Sequence, residues 1–332
     1  MALVTLRQAL DEARSGGYAV GAFNVSDVIQ AEAALDAAAE TDSPVILAVL
    51  AGTTGHGSDE RYWSALHHLI GDYPRVPVVL HLDHGPDPDT CRRAVAAGFT
   101  SVMIDGSLRG DGSPAGFAEN LAVTAEVAAE AHRAGVSVEG ELGTIGGSKT
   151  DGSRAEIVLA DPRQASEFVA GTGVDALAVA IGTSHGAYKF DAPPDGSVLH
   201  LDLIEQIATL VPDTHLVMHG SSSLPAPLRE QNNRYGAELP ESWGVPQEEK
   251  VRSIAMGVRK INQGMDSHLA FTGAVRQRLG TDPRNVDPAP YVGAGRDAMR
   301  RMVAERMRIF GQAGHASDYQ PIPLPDMARR YR

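Results

Sequence analysis

The sequence predicts an α/β fold, a closed parallel (β/α)₈ barrel in a single domain. Three observations predict it. Eight short β-rich runs recur along the chain, at 20–24, 44–49, 77–84, 101–105, 136–142, 176–181, 215–219 and 258–262. Several of them are almost wholly apolar, as strands covered on both faces are. The amphipathic, Ala-rich stretches between them are long enough for the crossover helix that parallel neighbours need. An open, doubly wound sheet is the alternative. No GxGxxG follows the first run, which weakens a dinucleotide-binding reading.

The helices carry start and stop signals. The N-terminal stretch MALVTLRQALDEARSGGY reads as a helix, with Thr5 and Gln8 spaced as a capping box. Its acidic residues break any apolar core, so it does not read as a signal peptide. Ser26 is placed to cap a helix over 27–40. Asp161-Pro162 reads as an N-cap followed by Pro at the first helical position, with a stop at Gly171. Gly98, Gly135, Gly257 and Gly280 follow other helical runs as stops. Three stretches read as insertions or loops. Residues 143–153 (GTIGGSKTDGS) have lid-like composition. Residues 224–246 are polar and punctuated by Pro. The tail 321–332 starts too rich in Pro for a helix and is expected to pack on a neighbouring element or a partner subunit.

A chain of 332 residues, 43% hydrophobic, has enough apolar content for one large core. One domain over 1–332 is therefore expected, with segment 283–332 forming a helix plus tail at an oligomer interface. The net charge of −13 repels phosphate backbones, which argues against nucleic acid as a partner. No apolar run reaches membrane-spanning length. The one cysteine, Cys91, excludes an intrachain disulfide and reads as a small side chain on a helix. A reduced, cytoplasmic setting fits.

In a barrel, chemistry collects where strands end, and ionisable residues gather there. The first run ends at Asn24, and the third in His81-Leu82-Asp83-His84. The fourth ends at Asp105, the fifth carries Glu139 and Glu141, and the sixth leads into His185-Gly186. The seventh ends in His219-Gly220-Ser221-Ser222, and the eighth in Lys260-Ile261-Asn262. One histidine after a strand is more often structural than a ligand. Three from three strand ends, His84, His185 and His219, converge on one mouth, and three imidazoles with an open position are a common catalytic zinc set. Side-chain alternation puts His81 on the face of Asp83, as packing or as support for a ligand. Asp83 reads either as a general acid/base or as a carboxylate orienting an imidazole. Glu139 and Glu141 share a face, so that one can bind a metal while the other pairs with a Lys or Arg. Asp105 suits a second metal position or a helix N–H equally. The small loops at Gly186 and Gly220–Ser222 suit phosphate.

The set VVLHLDHG, SVMIDGS, VSVEGELGTIGG, DALAVAIGTSHGAYKF, HLVMHGSSSLP and GVRKIN resembles class II fructose-bisphosphate aldolases, the Calvin-cycle subtype above all, nearly end to end. The resemblance implies a homo-oligomeric, zinc-dependent aldolase, as a homodimer or homotetramer. Such an enzyme cleaves a phosphorylated ketose, a sugar like fructose 1,6-bisphosphate, to dihydroxyacetone phosphate and an aldehyde. It implies His84, His185 and His219 as catalytic zinc ligands and Asp83 as acid/base at the C4 hydroxyl. Asp105 and Glu141 match a second divalent metal position. Gly186, Gly220 and Ser222 match a phosphate cradle, with Ser221 beside them and a monovalent cation near it. Asn262 matches a contact to the donor, and Asn24 faces the same mouth.

Three positions depart from the family pattern. Ser148 and Lys149 stand where lid glutamates are expected, and the next carboxylate is Asp151. Gly264-Met265 stand where the motif after Asn262 carries Asp or Asn followed by Thr. Leu50 stands where a serine ends the second strand. The metal set is intact and the substrate set altered. An aldolase for another donor or acceptor, of the tagatose type or in specialised metabolism, is thus an alternative, and a catalytically reduced metal-binding barrel is another.

Overall fold

The computed structural model describes residues 3–52, 56–109, 113–143, 145, 158–185, 190 and 192–331. Its first half runs α1 (Leu6–Gly16), β1 (Val20–Asn24), α2 (Val28–Thr41), β2 (Val45–Leu50), α3 (Asp59–Gly71), β3 (Val78–Gly85), α4 (Pro88–Ala96), β4 (Ser101–Ile104), α5 (Phe117–Arg133) and β5 (Ser137–Leu142). Its second half runs α6 (Pro162–Thr172), β6 (Ala176–Val179), α7 (Leu201–Leu210), β7 (His215–Met218), α8 (Ala226–Arg234), α9 (Gln247–Met256), β8 (Val258–Gln263), α10 (Met265–Thr281), α11 (Pro288–Ile309) and α12 (Leu324–Arg330). The eight strands pair in parallel in sequence order, and β1 closes on β8, giving a (β/α)₈ TIM barrel. Each predicted strand is present within two residues of its expected bounds. Among the described residues, no helix is long and apolar enough to cross a membrane.

Several local expectations are corrected. Asp27, not Ser26, caps α2 by accepting from the Gln30 N–H. Thr5 caps α1 by accepting from the Gln8 N–H, but the Gln8 side chain does not return to close the box. It instead bonds the C-terminal tail, donating to the Gln320 carbonyl at 2.6 Å and accepting from the Ile322 N–H at 3.2 Å. Helix α6 stops at left-handed Gly173 rather than Gly171. Gly98, Gly135 and Gly257 do take positive φ after helices, whereas Gly280 lies inside α10. The stretch 224–246 contains α8. The tail folds as α12 on its own barrel, where Tyr331 stacks on His132 with ring centroids 3.8 Å apart. Its prolines precede or open the helix, where a missing N–H costs nothing.

The lower barrel interior is apolar. Val20, Ala22, Ile46, Ala48, Val79, Ala176, Ala178 and Val217 fill it, and α1 closes that end with Leu6, Leu10 and Ala13. Two further apolar layers join the sheet to the outer helices. Cys91 is buried on α4 within one of them. The polar residues therefore collect at the other end, at the C-terminal mouth.

A candidate metal centre and active site

In a regular strand successive side chains face opposite ways, so Asp83 and His84 cannot both enter the barrel. The pairing of β3 with β4 solves this. Leu82 pairs with Val102 and Gly85 with Ile104, so β3 carries one residue more than its partner. His84 takes up the extra length with a φ of 47°. A bulge of this kind re-aims a side chain at the cost of backbone strain. Its effect here is to turn His84 into the mouth beside Asp83.

Below these residues the inward positions form a polar tier. Buried Glu139 stands 2.8 Å from the Lys260 ammonium and 2.7 Å from His219 Nε2. Buried His81 holds Ser101 at 2.8 Å through Nδ1 and faces Glu139 at 3.6 Å through Nε2. Burial opposes charge on Glu139, but Lys260 and the His219 hydrogen bond outweigh it and hold the carboxyl down at about 2. Burial and the Lys260 charge push His81 down to about 3, so it is neutral. One of the two glutamates thus pairs with a lysine, and the other faces the candidate metal groups.

The upper tier holds the reactive groups. Burial disfavours ionised Asp83, yet the charges of His84 and Lys260 keep it well below the usual carboxylate range. Both of its oxygens are held. Asn24 Nδ2 donates to Oδ2 at 2.7 Å and Asn262 Nδ2 donates to Oδ1 at 3.1 Å. The sequence placed both asparagines at the mouth but gave no sign that they clasp this carboxylate. Burial and the nearby Asp105 charge push Glu141 up to about 8.

Among the described residues, two donor groups could hold a cation. His84, His185 and His219 present ligand atoms within 4.8 Å of one another, as do His84, Asp105 and Glu141. The first group fits zinc. His84 Nε2 and His219 Nδ1 are 3.1 Å apart, near the separation of about 3.3 Å that two imidazoles on one tetrahedral zinc adopt. The far nitrogens meet carboxylates, His219 Nε2 at Glu139 and His84 Nδ1 at Asp105 Oδ2, 3.0 Å away. Such partners fix the tautomer that points a lone pair at a metal. The second group leaves Glu141 Oε2 buried without a hydrogen-bond partner. Asp105 also accepts from the Ser107 N–H and hydroxyl, so it supports its own loop as well.

A cavity of about 310 Å³ opens onto His84 and His185, lined by Asn24, Asp83, Gly220, Ser221, Ser222 and Asn262 among others. Gly220 has a φ of 60°, and a Cβ there would stand 2.6 Å from the Ser184 backbone. Only glycine lets the loops after β6 and β7 touch. The Ser221 hydroxyl bonds the Asn262 carbonyl and accepts from Gln263 Nε2 at 2.8 Å. It braces the loop between β7 and β8. Leu50, Gly264 and Met265 line the same cavity, as does His268. Sequence reasoning did not single out His268, although a histidine in the first turn after the last strand was a usable signal. Gly186, Ser148, Lys149 and Asp151 lie outside the described residues.

The chain matches the family model for fructose-bisphosphate aldolase class-II over residues 4–315. It is 47% identical to a fructose-bisphosphate aldolase of Pseudomonas aeruginosa, over 100% of this chain and 97% of that protein. A fructose-bisphosphate aldolase of Stutzerimonas stutzeri matches at 47% with the same coverage. Among solved structures, the YdjI aldolase from Escherichia coli K12 superposes with a TM-score of 0.75 at 27% identity, covering 95% of this chain and 99% of that one. A barrel with three mouth histidines around a clasped aspartate, matched at these levels over its full length, belongs to the class II fructose-bisphosphate aldolase family.

Proposed function

We propose that the chain is a zinc-dependent lyase acting on a ketose bisphosphate, fructose 1,6-bisphosphate or a close analogue. It reversibly cleaves this sugar to dihydroxyacetone phosphate and an aldehyde. The observation that carries this reading is Asp83, a buried carboxylate clasped by two amides at the wall of the cavity that His84 and His185 also line. In the cleavage direction Asp83 takes the C4 hydroxyl proton, the C3–C4 bond breaks and the aldehyde leaves. The electron pair stays on the three-carbon fragment, whose carbon then takes a proton from solvent to give dihydroxyacetone phosphate, while Asp83 returns its own proton to solvent. His84, His185 and His219 would hold zinc, which would supply Lewis-acid stabilisation of the developing charge. Asn24 and Asn262 keep the carboxylate aimed at the hydroxyl. Backbone N–H groups at Gly186 and Gly220–Ser222 hold the donor phosphate, with a monovalent cation nearby. Asp105 and Glu141 take a second divalent metal.

The same reading makes residues 1–332 one working domain in the cytoplasm, assembled as a homodimer or homotetramer through segment 283–332. A steady-state assay with fructose 1,6-bisphosphate, run with and without a chelator, tests the activity. Chelator-sensitive release of dihydroxyacetone phosphate is expected, and turnover indifferent to chelation would overturn the zinc role.

A second reading is supported by one observation. Leu50 and Met265 line the cavity, where the family pattern has hydroxyl side chains. A different aldehyde partner would meet that apolar wall. A screen of aldehydes against dihydroxyacetone phosphate separates the readings. Cleavage of fructose 1,6-bisphosphate with ordinary aldolase efficiency removes the second one.

A further inference from the structure

Gly264 lies between β8 and α10, at φ −107° and ψ −67°. This conformation is open to any L-residue, so backbone strain does not require glycine here. The neighbours do. A Cβ at 264 would stand 2.9 Å from Asn24 Oδ1, 3.5 Å from its Cγ and 3.7 Å from its Cβ. The three nearest atoms all belong to one side chain.

Asn24 has little freedom to move aside. Its Nδ2 is 2.7 Å from Asp83 Oδ2. Its backbone is fixed by the sheet: Asn24 pairs in register with Ala48 of β2, and the next N–H, that of Val25, donates to the Ala48 carbonyl at 3.0 Å. The end of β1 is therefore anchored to β2. Only the Asn24 side chain can yield, and yielding breaks the bond to Asp83.

We infer that Gly264 is a positioning residue: by carrying no side chain it gives Asn24 the space from which its amide holds Asp83. The departure from the family pattern at 264 is then matched to this chain's own Asn24 and makes part of the Asp83 clasp. The inference rests on the reading of Asp83 as the base only for its kinetic consequence. The geometry stands without it.

The test is a double-mutant cycle on the zinc-loaded enzyme with Gly264→Ala, Asn24→Ala and the pair, together with a crystal structure of Gly264→Ala. Alanine is a poorer residue than glycine at a helix start, but both arms carry that cost and the cycle cancels it. The expected results are a loss of kcat of about 10- to 100-fold in Gly264→Ala, KM within about twofold, and no further loss when Gly264→Ala is added to Asn24→Ala. In the crystal structure the Asn24 amide should lie beyond hydrogen-bond reach of Asp83. An equal penalty from Gly264→Ala in both backgrounds would overturn the inference. So would a change confined to KM, or an Asn24 amide still on Asp83. A displaced Asn24 in a protein whose parent does not cleave fructose 1,6-bisphosphate would uphold the pairing and sink the functional reading, so the two failures are distinct.

Discussion

Glu139 Oε1 lies 2.7 Å from His219 Nε2, and the other oxygen of the same carboxylate lies 2.8 Å from Lys260 Nζ. One buried glutamate thus orients a candidate zinc ligand while a buried lysine compensates its charge. The far nitrogen of His219 has to keep its proton on Glu139 for the near one to face a metal with a lone pair. Glu139→Gln keeps the shape and weakens that hydrogen bond. Zinc affinity is expected to fall about 10- to 100-fold, as read by competition with a chromophoric chelator. Unchanged affinity would mean that His219 is oriented by packing alone.

The lysine side of that contact predicts a stability effect. Lys260 and Glu139 are both fully buried, and removing one partner of such a pair strands the other charge. Lys260→Met is expected to cost about 3–5 kcal/mol in urea unfolding of the metal-free protein. Adding Glu139→Gln should recover much of the loss, because the stranded charge is then gone. A double variant as unstable as the single one would place the cost in packing around the aliphatic stem instead.

Asp83→Asn tests the proton transfer directly. The amide preserves the side chain's shape but cannot take a proton from a hydroxyl. The expected fall in kcat is about 10²- to 10⁴-fold, with zinc content unchanged because the three histidines remain. Activity within tenfold of the parent would remove Asp83 from the base role.

The strand pattern made the fold legible, because parallel strands covered on both faces leave long apolar runs between helix-capping residues. The donor residues were legible for the same reason, since each stands at a strand end. Their arrangement was less so. Alternation along HLDHG sends Asp83 and His84 to opposite faces, and only the extra residue in β3 brings them together. That bulge depends on the partner strand and leaves no local mark. The clasp on Asp83 joins residues 59 and 179 positions apart, a separation that no periodicity reports. The short helix start at Gly264 read as a missing carboxylate, since nothing in the sequence says that Asn24 fills the space. The Gln8 side chain satisfied the spacing of a capping box and still went to the tail, because a local motif competes with whatever tertiary partner arrives.

Glu141 gives the metal-free protein a pH-dependent term opposite in sign to that of buried, neutral His81, which favours the fold as pH rises through 6.5. Burial and Asp105 raise its pKa from 4.5 to about 8. Between those values the native state holds a proton that the unfolded chain releases, so the Glu141 contribution to stability is full below about pH 4.5 and is lost as pH rises towards 8. His84 acts in the same direction. Burial opposes its charge, but the Asp105 hydrogen bond and the charges of Asp83 and Glu141 raise it from 6.5 to about 10. Its contribution is present below 6.5 and falls away above it. Asp105 and Glu139, lowered to about 2, already contribute fully by pH 5 and add no slope above it. Glu141→Gln removes the Glu141 term, so the chelator-treated variant is expected to gain melting temperature at pH 8 relative to pH 5 when compared with the parent. Bound divalent metal pairs with these carboxylates and replaces the proton, so zinc should raise the melting temperature more at pH 8 than at pH 5. Calorimetry of the metal-free and zinc-loaded forms at both pH values measures each quantity. No effect of Glu141→Gln on the difference between the two pH values would show that Glu141 is ionised in the fold without a cation.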